Sequence, residues 1–257
     1  ATSMGVEALQ IPMFGLYGAC STSGEALALA SMSAAAGYGG TMIAVTSSHF
    51  GSAEKEFRFP LGYANQRPLS SHWTVTGSGA FLVQSAEEYR KQNTKSYFSN
   101  IRITGVTVGK IVDYGLKDSQ NMGACMAPAA MDTIVQNFQD MERKEKDYDR
   151  IITGDLGSIG RTILFDLIRE KGYDICEKHM DCGMTIFDKE RQDTHAGGSG
   201  CGCAAVTLAS YVLPKLEKGE WKRVLFVPTG ALMSTVSFNE GASVPGIAHG
   251  IVLESDA

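Results

Sequence analysis

Two stretches of this chain, Thr22 to Ala36 and Val206 to Leu216, carry apolar or small residues almost all the way round a helical wheel. A helix with no polar face is stable only where it is packed on every side, so both predict buried helices rather than amphipathic surface ones. Each is followed by a short continuous apolar run, Met42 to Val45 and Val224 to Val227. Strands that do not alternate apolar with polar are covered on both faces, and strands separated by helices predict mixed or parallel sheets.

The order of elements repeats. Leu16-Tyr-Gly-Ala-Cys20-Ser-Thr-Ser-Gly precedes the first helix, and Gly197-Gly-Ser-Gly-Cys201-Gly-Cys-Ala-Ala precedes the second, so Cys20 superposes on Cys201. The segment from Val75 to Val83 matches that from Gly246 to Glu254, each a glycine-containing turn feeding an apolar strand. We read two pseudo-equivalent halves, residues 1–100 and 101–257, with the two buried helices back to back between two sheets: an α/β fold in five layers, α-β-α-β-α. The second half opens with a strand (Arg102 to Val112), a polar-faced helix from near Asp132 and the segment Tyr148 to Asp155, and none of these has a counterpart ahead of Cys20. The repeat therefore predicts an incomplete first half, whose sheet would gain a strand, a helix and another strand from several tens of further N-terminal residues.

Composition narrows the function classes. The formal charge is -5 and the sequence pI about 5.6, without a Lys/Arg stripe, which excludes the electrostatic footprint of a nucleic-acid binder. No apolar run approaches the roughly 20 residues of a membrane span, so membrane association is expected to be peripheral. Six cysteines dispersed through a long chain predict reduced thiols in a cytosol-like compartment and no disulfides.

The candidate chemistry starts at Gly18-Ala-Cys20-Ser-Thr-Ser. A strand-turn-helix elbow presents one side chain at a helix N-terminus, where free amides and the helix dipole favour a thiolate or a bound carboxylate. The competing reading is a small buried core cysteine. Cys176, His179 and Cys182, with His195, Cys201 and Cys203 further on, offer soft metal ligands, but the spacing is irregular and packed thiols are the expectation; no metal site is assigned.

The duplicated halves and the Gly-Ala-Cys elbow resemble the thiolase superfamily of thiolases and ketoacyl synthases, in which the matching cysteine is acylated. Tyr17-Gly-Ala-Cys-Ser-Thr-Ser23, Thr46-Ser-Ser-His49, Glu54 to Pro60, Thr74 to Ala80, Asp118-Ser-Gln-Asn-Met-Gly123, Ala127 to Ala130, Ala196 to Cys201 and Ile247-Ala-His-Gly250 are similar to the stage V sporulation protein AD family, across almost the whole chain.

The superfamily resemblance implies a His and an Asn or second His as partners of the cysteine. The loops that would carry them read Gly154-Asp155-Leu156-Gly157 and Gly198-Ser199-Gly200, so both slots are expected to be empty and no catalysis is expected. His49, His179, His195 and His249 remain as substitutes, each weighed against an ordinary structural histidine. The alternative is an acyl-transfer or condensing enzyme with Cys20 as nucleophile, and a purely partner-docking subunit is a third class. The family resemblance implies binding of dipicolinic acid for uptake into the developing spore, together with other SpoVA proteins in the membrane, at the periphery of the inner spore membrane. For that flat dianion the expected ligand-binding residues are Cys20, Ser21 and Thr22 at the elbow, His49 and Arg58 for the second carboxylate, with Ser199 and His249. If calcium enters as a chelate, Asp118 or Asp155 supplies oxygen. No resident cofactor is expected, and the superfamily raises the expectation of a homodimer.

Overall fold

A computed structural model describes residues 2–57, 67–92 and 100–256. In chain order the helices are α1 (Thr2–Val6), α2 (Thr22–Ala35), α3 (Phe50–Phe57), α4 (Ala86–Gln92), α5 (Met122–Asp140), α6 (Gly157–Glu170), α7 (Cys182–Thr185), α8 (Cys201–Thr207), α9 (Leu213–Glu217) and α10 (Thr235–Asn239). The strands are β1 (Thr41–Ser48), β2 (Trp73–Thr74), β3 (Gly77–Gln84), β4 (Ile101–Thr107), β5 (Arg150–Thr153), β6 (His179–Asp181), β7 (Gly198–Ser199), β8 (Arg223–Val227), β9 (Thr229–Ala231), β10 (Gly246–Ala248) and β11 (Gly250–Ser255).

The second half forms a five-stranded mixed sheet in the order β4-β11-β8-β5-β6, with β11 antiparallel to β4 and β8 while β5 runs parallel to β6 and β8. Its central strands read as continuous apolar runs because both faces are buried. Ile151, Leu225, Val227 and Val252 face α5 and α6, whereas Ile152, Val224, Phe226, Ile251 and Leu253 face α2, α8 and α9. Each such side chain, fully buried, is worth about 1.5–3 kcal/mol. On the far side of α2 and α8 lies the first-half sheet, β1 antiparallel to β3 from Thr41 opposite Gln84 to Ser48 opposite Gly77. Gly77 and Gly79 let α8 lie directly on this sheet: a Cβ there would come within 2.8 Å of Val206 and Ala205.

Four layers of the five are thus built by the described residues: α5/α6, the large sheet, α2/α8, and the β1/β3 pair. The outer face of β1/β3 leaves Ile43 and Leu82 exposed, and the pair contains two strands within the described residues. The repeat appears as two matching units, α2 with β1 and β3, and α8/α9 with β8 and β11.

Three boundaries differ from those expected. Helix α5 begins at Met122, ten residues before Asp132, because Asn121 caps it by accepting from the Ala124 amide, and its first turns are apolar and buried all round, so no polar face marks them. The strand expected over residues 102–112 ends at Thr107; Val112 makes a lone bridge to Gly246. The second buried helix starts at Cys201 and passes through a π-helical turn, Leu208–Val212, just ahead of Pro214, whose missing N-H cannot extend a regular ladder.

Candidate functional site

The elbow before α2 is held by its own side chains. Ser21 Oγ donates to the Gly18 carbonyl at 2.6 Å and Thr22 Oγ1 donates to the Ala19 carbonyl at 2.7 Å, while the Gly18 amide donates to Thr22 Oγ1 at 3.0 Å. The Ser21 and Thr22 amides return to the same two carbonyls. Ala19 sits at φ 51°, a left-handed conformation that costs a non-glycine residue about 1 kcal/mol or more and is sustained by this network. Ser21 and Thr22 therefore spend their hydroxyls shaping the turn, and Cys20 is the side chain the turn presents.

The second half meets Cys20 through a two-residue parallel pair. β2 aligns Trp73 with Gly198 and Thr74 with Ser199, carrying the Ser199 loop across to the first half. Cys20 Sγ lies 3.7 Å from Ser199 Oγ, which donates to Asp155 Oδ2 at 3.0 Å. Asp155, fully buried, also accepts the Gly200 amide at 2.9 Å and, through Oδ1, the Thr229 hydroxyl at 2.9 Å. The two loops, expected to lack a His or Asn partner for the cysteine, bring the carboxylate of Asp155 and the hydroxyl of Ser199 to it.

The consequence for the thiol is electrostatic. Burial pushes the Cys20 pKa well above the usual thiol value, and the charge of Asp155 and a hydrogen bond to it push it further, with Cys201 adding a smaller push and the Ser199 hydroxyl opposing. Cys20 is a neutral thiol, and nucleophilic chemistry runs through thiolates. Cys201, the pseudo-equivalent residue, points its sulfur at the Ser47 carbonyl at 3.2 Å and is likewise raised, by burial and then by Asp155.

His249 lies between β10 and β11, 6% exposed, its carbonyl against Gly24 in the first turn of α2. Burial depresses its pKa, keeping the ring neutral. Because Nδ1 accepts the Gly109 amide at 3.2 Å, the proton resides on Nε2, a buried donor with no partner in the described structure. His49 caps α3, Nδ1 accepting the Gly51 amide at 3.1 Å, and Asp118 is exposed in the turn ahead of α5, holding the Gln120 amide; no hydrogen bond ties either to the Cys20 cluster. Arg58 lies outside the described residues.

All six cysteines are free. No group of three or more His, Cys, Asp or Glu is placed to hold a metal among the described residues: Cys182 is in the core, Cys176 takes an Arg169 N-H, and His195 binds the Pro68 carbonyl. No helix among them is long and apolar enough to cross a membrane. Thr229 was not singled out in the sequence, and Asp155 only as a calcium ligand and as a member of the loop standing where a partner histidine was expected. The available signal was an Asp set between Gly154 and Leu156 straight after an apolar strand, where a charge survives only if the fold supplies its donors.

The fold is that of condensing enzymes and thiolases. The tetronic acid condensing enzyme AbyA1 superposes with a TM-score of 0.61 at 13% identity, over 98% of this chain and 73% of that one. The 3-oxoacyl-[acyl-carrier-protein] synthase III of Aquifex aeolicus VF5 gives 0.55 at 12%, over 98% and 70%, and the Acat5 thiolase of Ascaris suum, solved with coenzyme A, 0.58 at 10%, over 97% and 82%. Stage V sporulation protein AD of Bacillus subtilis (strain 168) is 43% identical over 246 residues, covering 96% of this chain and 69% of that protein. Residues 1–254 match the profile of the same family, and the chain belongs to the stage V sporulation protein AD family.

Proposed function

We propose that this protein is a non-catalytic, thiolase-fold ligand-binding component of sporulation, which takes dipicolinic acid at the Cys20 elbow for uptake into the developing spore. The observation that carries this reading is the state of the thiol: burial, and then the buried carboxylate of Asp155 that the Ser199 hydroxyl connects to Cys20, raise the pKa of the sulfur well above that of an ordinary cysteine. His249 supports it from the binding side, since a buried, unfilled Nε2-H is suited to a carboxylate oxygen. Asp155 places negative charge beneath the elbow, so the calcium chelate, whose charges cancel, is the form the site favours. The protein works at the periphery of the inner spore membrane, recruited by membrane-embedded SpoVA partners, and as a homodimer.

The competing reading, acyl transfer through Cys20, is favoured by the condensing-enzyme fold. Calorimetric titration with dipicolinic acid, with and without calcium, separates the two when run beside an acyl-CoA incubation read by intact mass. Saturable binding, weakened in Cys20→Ala and in His249→Ala, with no mass added to Cys20, supports the ligand-binding reading. Absence of binding together with Cys20-dependent acylation overturns it.

A further inference from the structure

The large sheet ends at β6, and no strand pairs with its outer side among the described residues. The pairing with β5 decides which backbone groups face outward. The Ile151 amide donates to the Lys178 carbonyl at 3.0 Å, and backbone N-H and C=O groups change sides from one residue to the next along a strand, so Met180 also faces β5 while His179 and Asp181 face away. Part of this outward set is already used: the His179 amide donates to the Ile175 carbonyl at 2.8 Å, and the Asp181 carbonyl accepts the Thr185 hydroxyl at 2.8 Å. The His179 carbonyl and the Asp181 amide remain. A parallel neighbour uses that pair, because one residue of it, set opposite Met180, donates to the first and accepts from the second. An antiparallel neighbour would need both groups of a single residue, and neither His179 nor Asp181 offers both.

A half-open cleft of about 310 Å³ lies along this edge and includes none of Cys20, Asp155, Ser199 or Thr229. Its two sides carry different side chains. Met180 pairs with Ile152 on the face toward α8 and α9, where Tyr211 and Trp221 meet edge to face at 5.9 Å and Arg150 lies over the Trp221 ring at 5.5 Å. His179 pairs with Ile151 on the α6 face, where Phe165 meets the His179 ring edge-on at 5.2 Å and Arg161 lies over Phe165 at 5.1 Å. Arg150 and Arg161 therefore stand on opposite faces of the edge strand and do not converge on one small molecule. Neither guanidinium has a carboxylate partner among the described residues. Arg150 donates to the Asp149 carbonyl, and the Asp149 carboxylate holds the Lys222 and Arg223 amides. Asp181, the acid that lines the cleft, is screened by the Thr153 hydroxyl and the Leu156, Gly157 and Met184 amides. An added strand sends successive side chains to opposite faces, so it can meet both sides at once.

We propose that the β6 edge binds an extended acidic segment of a partner protein as an added parallel strand. The residue opposite Met180 is apolar or aromatic and packs against Tyr211 and Trp221, and an acidic neighbour on the α6 face pairs with Arg161. Charge complementarity selects the acid, since unpaired guanidinium groups flank the edge on both faces. The site is separate from the Cys20 elbow and does not depend on what the elbow binds. The test is calorimetric titration of the full chain with the capped peptide acetyl-Gly-Asp-Phe-Asp-Gly-amide. Saturable binding with a Kd below about 1 mM is expected, about tenfold weaker in Arg161→Gln and in Tyr211→Ala. The same peptide N-methylated at its Phe keeps the charges and loses the strand hydrogen bond, and should bind at least about tenfold more weakly. Glutarate, which carries two carboxylates without a peptide backbone, should not displace the peptide, and Cys20→Ala should bind it as the unaltered chain does. No saturation below about 10 mM, equal binding of the N-methylated peptide, insensitivity to both substitutions, displacement by equimolar glutarate, or loss of binding in Cys20→Ala would each overturn the assignment. Arg161 is partly exposed on α6 and Tyr211 is 41% exposed, so both can be replaced without opening the core.

Discussion

Asp155→Asn removes a charge and little else, since Asn keeps the shape and can still accept from Ser199 and Gly200 while presenting N-H to Thr229. The contacts from Cys20 Sγ to Ser199 Oγ, 3.7 Å, and from Ser199 Oγ to Asp155 Oδ2, 3.0 Å, hold the sulfur within about 7 Å of the carboxylate. At an effective dielectric constant of about 20, two unit charges at that distance repel by about 2.4 kcal/mol. One pKa unit corresponds to about 1.4 kcal/mol, so the Cys20 pKa should fall by about one to two. It stays above the ordinary thiol value, because burial is the larger cause and is untouched. The assay is the pH dependence of iodoacetamide alkylation, resolved by peptide mass spectrometry. Cys20 should react about tenfold faster or more at fixed pH below its pKa, Cys201 should follow to a lesser degree, and Cys176, raised by burial and by Asp174 rather than Asp155, should not move. A Cys20 profile displaced by less than about 0.3, or displaced upward, would refute the argument that Asp155 holds the thiol neutral.

Three further outcomes follow from the same structure. Tyr148→Phe removes the donor at 2.7 Å to Asn137 Oδ1 in the core and should cost about 1–3 kcal/mol in urea unfolding, because the buried oxygen is left without a partner. Gly160→Ala would put a Cβ 2.8 Å from the Gly123 Cα and carbonyl oxygen, forcing α5 and α6 apart; a loss of about 2 kcal/mol, seen as a melting temperature lower by about 4–8 °C, is expected. His179 is neutral in the fold with a pKa of about 3, against an ordinary value of 6.5, so the unfolded chain takes up a proton that the folded one refuses, and stability is lost as pH falls from 6.5 toward 3. Asp181, whose pKa burial raises to about 6, works in the opposite sense between 3.8 and 6, so the contribution of His179 is read against a variant rather than from the wild-type curve alone. The stability of wild type relative to His179→Gln should rise from pH 4 to 6.5 by up to about 1.4 kcal/mol per pH unit, and a constant difference would refute the assignment.

The sequence by itself determined the two interior helices, the buried strand β8 and the elbow at Cys20, whereas Met42 to Val45 in β1, expected to be covered on both faces, is covered on one, with Ile43 exposed on the other. These are signals of local period and composition: a helix without a polar face and a strand without alternation have nowhere to go but the interior. The superfamily resemblance located the loops 154–157 and 198–200, whose Asp155 and Ser199 reach the cysteine. What those loops do was decided only by tertiary structure, since a pKa depends on burial and on partners brought from afar. Asp155 and Ser199 lie 44 residues apart, and Ser199 lies 179 residues from Cys20. Helix α5 was read as starting too late because its buried first turns have no polar positions for periodicity to detect.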